Sequence, residues 1–191
     1  MVRASSLPSR RSRLSRFSRQ ALHTGADPEN SLEVFDSGGR LLLIMPMAAA
    51  LRQRLHCRAV AFALFDKGKR IFLGKLPRTH SAYPGLWDIS AAGYARPGEG
   101  MLDAVLREAD SRLAYREQDI SLAAKLPASP ESANREIAIF TSKPSAFFPT
   151  LHPDRLEDGM YVDEEELGAL LRDMPELTTP ALRLTAPYLF S

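Results

Sequence analysis

The chain has 191 residues, of which 45% are hydrophobic and 25% are charged, as in soluble globular proteins. Its length is sufficient for one well-buried domain with appendages and excludes two ordinary domains. A single cysteine excludes an intramolecular disulfide and a cysteine-cluster metal site, and no stretch approaches the roughly 18 consecutive apolar residues of a membrane span. We therefore expect a cytoplasmic protein without a membrane partner.

Residues 1–31 form a basic segment that differs in composition from the rest of the chain. The net charge of the whole chain is +2, but residues 1–26 contain six arginines and no acid, which leaves −4 for the remainder. Because this segment has few large apolar residues, it cannot bury enough surface to offset the entropy lost on ordering. We expect a disordered tail over residues 1–31. An organelle transit peptide and a nucleic-acid-binding arm are the functional alternatives.

The next elements follow from apolar runs separated by turn residues. Two short strands surround a glycine turn at 36–39, and Pro46 fits the first turn of a short helix over 47–55. The runs 56–66 and 70–76 predict a hairpin with its turn at 67–69. A long connection over 77–85 then leads into a strand over 86–93.

A glycine-punctuated loop and a helix follow over residues 93–115. The helix has one apolar stripe, formed by Leu102, Val105, Leu106, Ala109 and Leu113. Two strands over 119–126 and 135–141 come next, and the prolines of 143–155 disfavour regular structure. A strand over 159–162, a helix capped by Asp163 and a helix starting near Thr179 complete the pattern. This order indicates an α+β protein, an α/β/α sandwich with a mixed sheet, over residues 32–191.

The spacing within residues 93–115 resembles the Nudix box. The five matching positions are Gly93, Glu99, Arg107, Glu108 and Ala109. The two later glutamates of the box are replaced by Ser111 and Arg112, and Ala114 stands in place of the closing glycine. The box is therefore degenerate.

Other stretches resemble the isopentenyl-diphosphate-isomerase-like subgroup of the Nudix family. They are EVFDSGGRLLL, LHCRAVAFALFD, YPGLWDISAAG and MYVDEEELGALL, in the same order as in that subgroup. The resemblance covers residues 32–190 and implies the Nudix fold. It also implies hydrolysis of a diphosphate with Mg²⁺ or Mn²⁺ held by box carboxylates, because such hard cations prefer oxygen ligands.

The resemblance assigns Glu108 and Glu99 as catalytic residues and metal ligands. At about 100° per residue, Asp103 and Asp110 project about 140° to 160° away from Glu108, so they cannot replace the missing glutamates. The acids Asp154, Glu157 and Asp158 are the nearest candidates for a ligand before the last strand, although their spacing does not match clearly. The resemblance thus implies a metal site that is weakened or absent.

Arg112 introduces a positive charge where the family has a metal-binding carboxylate. A fixed charge there opposes a divalent cation and could instead hold a phosphate. A surface ion pair with Glu108 is the alternative. By position in the subgroup, Lys75 and His80 would also meet substrate phosphates, and Arg78 adds positive charge nearby. The alternative is that these three residues form only a solvated basic loop.

Two functions follow from this pattern. The first is a divergent Nudix hydrolase of a diphosphate linked to a nucleoside or another moiety. The alternative is a catalytically inactive Nudix domain that binds a phosphorylated ligand or a protein partner, without a metal. Isomerisation is not expected, because residues 90–93 lack the cysteine of the isomerases and Cys57 fits a small core residue. Whether the chain forms a homodimer is left open.

Overall fold

The computed structural model of the protein describes residues 27–190. The nine strands of this region are Ser31–Phe35 (β1), Leu41–Pro46 (β2), Cys57–Ala63 (β3), Ile71–Lys75 (β4), Trp87–Ile89 (β5), Ala91–Tyr94 (β6), Ile120–Leu126 (β7), Arg135–Ser142 (β8) and Asp158–Val162 (β9). Its four α-helices are Met47–Arg52 (α1), Met101–Leu113 (α2), Glu164–Asp173 (α3) and Pro180–Thr185 (α4).

The strands form three sheets. The largest has the order β6-β3-β8-β7, and it is mixed because β3 and β8 are parallel while its other pairs are antiparallel. A second sheet has the antiparallel order β5-β4-β9, and β1 pairs with β2 in a separate hairpin. The predicted α+β class with a mixed sheet is confirmed.

Two predicted connections differ from the observed ones, because the chain passes between the two larger sheets. The predicted hairpin over 56–76 has its turn, closed by the Lys69 N–H donating to Asp66 O at 3.0 Å. Its arms separate into different sheets after a single bridge between Phe65 and Ile71. The strand predicted over 86–93 likewise divides at Ser90 into β5 and β6. An apolar run indicates a buried strand but does not specify which sheet contains it.

Two apolar cores define the layers. On one face of the mixed sheet, α2 packs over β3 and β6 through Val105, Ala109 and Leu113. On the other face, the second sheet and the helices α3 and α4 bury Leu73, Leu182 and their neighbours. The layers of helix, sheets and helices are those of the predicted sandwich, and they leave the loop before α2 at the edge of the mixed sheet.

The ends of several elements differ slightly from the predictions. Asp27 caps a 3₁₀ turn, Pro28–Asn30, so ordered structure precedes residue 32; the other residues of the predicted tail, 1–26, lie outside the described region. Pro46 ends β2 and precedes α1 instead of lying in its first turn, and α1 ends at Arg52. Within residues 27–190, every helix is too short or too polar to span a lipid bilayer.

Candidate functional site

Helix α2 holds the candidate site against the mixed sheet. Four residues of the helix are buried: Ala104, Val105, Ala109 and Leu113. Leu102, predicted to lie in the apolar stripe, is instead 51% exposed, because the buried face includes Ala104 and is turned away from Leu102. The helix ends at Leu113, and its C-cap residue is Ala114, whose φ of 55° is left-handed. The closing glycine of the box would adopt this conformation without the steric cost that alanine incurs.

Arg107 joins the two predicted site glutamates. Its Nε lies 2.8 Å from Oε1 of Glu99, its Nη2 lies 2.8 Å from Oε2 of Glu99, and its Nη1 donates to Oε1 of Glu108. The N–H of Arg96 also donates to Oε2 of Glu99 at 2.8 Å. Burial raises the pKa of Glu99, but the hydrogen bonds from Arg107 and Arg96 outweigh it and keep the pKa below its usual value. Glu99 therefore serves here as a bidentate partner of an arginine.

Gly93 explains how Glu108 fits against the sheet. A Cβ built on Gly93 would lie only 2.7 Å from Cγ of Glu108 and closer still to its carboxyl carbon. The backbone of β6 thus lies directly against the Glu108 side chain. Because a side chain at position 93 would collide with Glu108, this close approach accounts for the glycine at the start of the box.

Arg112 lies beside Glu108 and is partly buried. Its side chain is 14% exposed, and its Nη2 donates to the carbonyl oxygen of Ala92 at 2.6 Å. Its Nη1 lies 3.4 Å from Oδ2 of Asp88, and its Nε lies 3.9 Å from Oε2 of Glu108. The ion pair with Glu108 is thus present, but both side chains are largely covered, and Arg112 makes its shorter contacts with Ala92 and Asp88 beneath α2.

Asp88, which lies beside Arg112, was not identified as a candidate site residue from the sequence. It is 5% exposed, and its Oδ1 accepts a hydrogen bond from Oγ1 of Thr179 at 2.6 Å. Thr179 in turn caps α4, since the same Oγ1 accepts from the N–H of Leu182. The only available signal was an acidic residue within an otherwise apolar strand, because a buried carboxylate requires partners.

The predicted phosphate contacts divide into two groups. Lys75 and Arg78 meet at Glu157: Nζ of Lys75 lies 3.2 Å from Oε1, and the N–H of Arg78 lies 3.2 Å from Oε2. His80 is separate and stacks on Tyr83, whose N–H donates to its Nδ1 at 3.0 Å.

The charges of Arg112 and Asp88 affect the protonation of His80. Burial and the positive charge of Arg112 lower the pKa of His80, against the opposing effect of Asp88. Because Nδ1 accepts a hydrogen bond, the neutral ring carries its proton on Nε2. The positive charge of Arg112 thus affects His80, whereas Lys75 pairs with Glu157.

The residues present do not fit a divalent cation held in the manner of the box. In residues 27–190, no group of three or more His, Cys, Asp and Glu side chains could hold a metal ion. Both oxygens of Glu108 face guanidinium groups, those of Arg107 and Arg112. Asp110 pairs with Arg116 at 2.9 Å, and Glu157 with Lys75, so neither supplies a free carboxylate to this position.

Comparisons with known proteins agree with this fold and with the sequence resemblance. No protein-family model matches the chain. Two curated relatives are isopentenyl-diphosphate Δ-isomerases: one from Agromyces mediolanus, 28% identical over 66% of this chain and 64% of the relative, and one from Clavibacter sepedonicus, 25% identical over 75% of this chain and 82% of the relative. The chain thus spans less than two thirds of the length of the first relative.

Among solved structures, the Deinococcus radiodurans protein DR0079 matches 84% of this chain and 99% of its own chain, with a TM-score of 0.73 and 18% identity. A MutT protein from Methanosarcina mazei Go1 gives a TM-score of 0.57 at 14% identity, covering 69% of this chain and 91% of that one. The Nudix domain of Shewanella oneidensis NrtR, solved with ADP-ribose, gives 0.53 at 18%, covering 73% and 94%. The chain has the Nudix fold and is similar in sequence to the isomerase-like subgroup, as predicted.

Proposed function

We propose that this Nudix-fold protein binds a small molecule carrying a phosphate or diphosphate group, and that it does so without the metal-dependent hydrolysis typical of a complete Nudix box. The proposal rests on the ion pairs of Glu108, whose two carboxylate oxygens face Arg107 and Arg112. A divalent cation at Glu108 would lie beside two fixed positive charges, and their repulsion opposes binding. The negative charge of Glu108 is therefore balanced by two arginines of the protein itself.

The anion contacts in this proposal are Lys75, Arg78, His80 and Arg112. The Arg78 side chain is exposed, and the other three residues are partly buried. His80 presents Nε2–H as a donor when its ring is neutral, and a lysine with arginines supplies the charge that phosphate oxygens require. Arg112 contributes mainly through its field, because its donors already bond to Ala92 and Asp88.

A divergent hydrolase of a nucleoside-linked or similar diphosphate is the second candidate. It is favoured by the retained arrangement of Gly93, Glu99, Arg107 and Glu108. In this alternative, Glu108 and Glu99 would hold Mg²⁺ or Mn²⁺ after releasing Arg107. Isomerisation of isopentenyl diphosphate, the activity named for the two curated relatives, has no support at this site. Cys57 is fully buried, and burial raises the pKa of its thiol to about 11.

Titration and turnover measurements distinguish the two candidates. We expect calorimetry to show binding of pyrophosphate or ADP-ribose without added metal, and no saturable heat with Mg²⁺ or Mn²⁺ alone. Phosphate release from a panel of nucleoside diphosphate derivatives should be the same for the wild type and for Glu108→Gln. Asp103→Asn, on an exposed flank of α2, is the matched control. Metal-dependent turnover that Glu108→Gln abolishes and Asp103→Asn retains would establish the hydrolase instead.

A further inference from the structure

The carboxylate of Glu157 occupies a position between two donors. Its Oε1 lies 3.2 Å from Nζ of Lys75, and its Oε2 accepts from the N–H of Arg78 at 3.2 Å. An ammonium group and a backbone N–H that converge on two oxygens of one anion also make a common phosphate-binding arrangement. Glu157 therefore has the contacts that a phosphate group would make at the same place.

The backbone around Glu157 fixes this geometry. The N–H of Glu157 donates to the carbonyl oxygen of Lys75 at 2.9 Å, immediately before β9 pairs with β4. The preceding Leu156 is 1% exposed and packs over Gly74, where an added Cβ would lie 2.6 Å from its Cδ2. The protein therefore presents the carboxylate to Lys75 from an ordered backbone.

The ion pair between Lys75 and Glu157 is exposed enough for an incoming anion to replace the Glu157 carboxylate. The side chains of Lys75 and Glu157 are 29% and 30% exposed, and ion pairs of this exposure add little net stability. A phosphate or diphosphate carries more negative charge than one carboxylate and has more acceptor oxygens. Exchange would thus cost little folding energy, while a retained Glu157 would repel the incoming anion.

From this geometry we infer that Glu157 is an internal competitor for the phosphate-binding position formed by Lys75 and the Arg78 N–H, and that a phosphate-bearing ligand displaces it. The inference rests on the proposed function, because it concerns the same anion contacts. It assigns Glu157 to control of anion affinity, in place of the metal-ligand role considered from the sequence.

Calorimetric titration with inorganic pyrophosphate, without metal, tests this competition. Glu157→Gln removes the charge and keeps the shape, so pyrophosphate should bind about fivefold more tightly than to the wild type, which corresponds to the loss of one exposed ion pair. Glu136→Gln is the matched control, because Glu136 pairs with Arg58 at 3.6 Å on the mixed sheet, with exposures of 31% and 36%. Adding Lys75→Gln to Glu157→Gln should remove the gain.

The outcomes separate this inference from the proposed function. Tighter binding by Glu157→Gln alone supports the inference, whether or not the wild type binds measurably. Equal binding by the wild type and Glu157→Gln overturns the inference and leaves the proposed function standing. An equal gain in Glu136→Gln overturns it too, because net charge would then explain the effect. No binding by any of the proteins overturns both. Thermal melts of each variant confirm that it is folded.

Discussion

Gly93 and Glu108 are in such close contact that the strand and the helix leave no room for a side chain at position 93. Glu108 cannot move away freely, because Arg107 donates a hydrogen bond to its carboxylate and Arg112 lies beside it at 3.9 Å. Gly93→Ala should therefore lower the free energy of unfolding by about 1 to 3 kcal/mol, as for other overpacked sites.

Urea denaturation measures this loss. Gly168→Ala is the matched control, since a Cβ at Gly168 in α3 would meet no atom within 4 Å. Its higher helix propensity should stabilise the protein by up to about 1 kcal/mol. Equal effects of the two substitutions would show that Glu108 is free to move.

Restoring the two missing box glutamates should create a metal site. In Ser111→Glu/Arg112→Glu, the guanidinium beside Glu108 is replaced by carboxylates, so Mn²⁺ should raise the Tm of the variant. At a concentration one hundred times its Kd, the metal would add about 2.7 kcal/mol. Ser111→Glu alone retains Arg112 and should respond no more than the wild type. An equal Tm increase in the wild type would contradict the proposed neutralisation of Glu108.

Acid should selectively weaken the pairing of Glu99 with Arg107. The folded-state pKa of Glu99 lies below its usual value, because hydrogen bonds from Arg107 and Arg96 outweigh burial. Its contribution to stability is thus complete above the ordinary pKa of a glutamate, about 4.3, and is lost as the pH falls through the depressed value. The destabilisation caused by Glu99→Gln should be large at pH 7 and shrink towards pH 3.

Urea denaturation of both proteins across this pH range is the measurement. In an Arg107→Gln background, Glu99→Gln should lose most of its pH-dependent effect, because the partner that lowers the pKa is gone. A pH-dependent difference that persists in this background would assign the effect to another group.

The contact between Thr179 and Asp88 should be measurable as helix-cap energy. Thr179→Ala removes both the cap of α4 and the hydrogen bond to Asp88, and should cost about 1 to 2 kcal/mol of unfolding free energy. Thr179→Ser keeps the hydroxyl and should recover most of the loss. If the serine variant is as unstable as the alanine variant, the lost methyl packing accounts for the effect.

Local features of this chain could be predicted from sequence because their signals lie within a few residues. The cap of α3 by Asp163 and the start of α4 near Thr179 were both correctly predicted. Each follows from side chains at a fixed spacing along one turn, loop or helix. The Nudix-type order of elements was predicted for the same reason.

Contacts between distant segments could not be predicted in this way. The sequence singles out Arg112 as a departure from the box, but its partner Asp88 comes from a strand 24 positions earlier, and Glu157 reaches Lys75 across 82 positions. Which sheet receives each strand was also missed. These features depend on how β4, β5 and β9 assemble beside the mixed sheet, and hydrophobic periodicity contains no information about that assembly.

Ser90, where the chain passes from the second sheet to the mixed sheet, affects how the protein unfolds. Ser90 is fully buried, its Oγ donates to the carbonyl oxygen of Phe72, and it accepts from the N–H of Leu64 at 2.9 Å. One hydroxyl thus ties together the two places where the chain passes from one sheet to the other. The two sheets also share one apolar core, to which Ala61 and Leu73 belong, so residues 27–190 should melt in one cooperative transition.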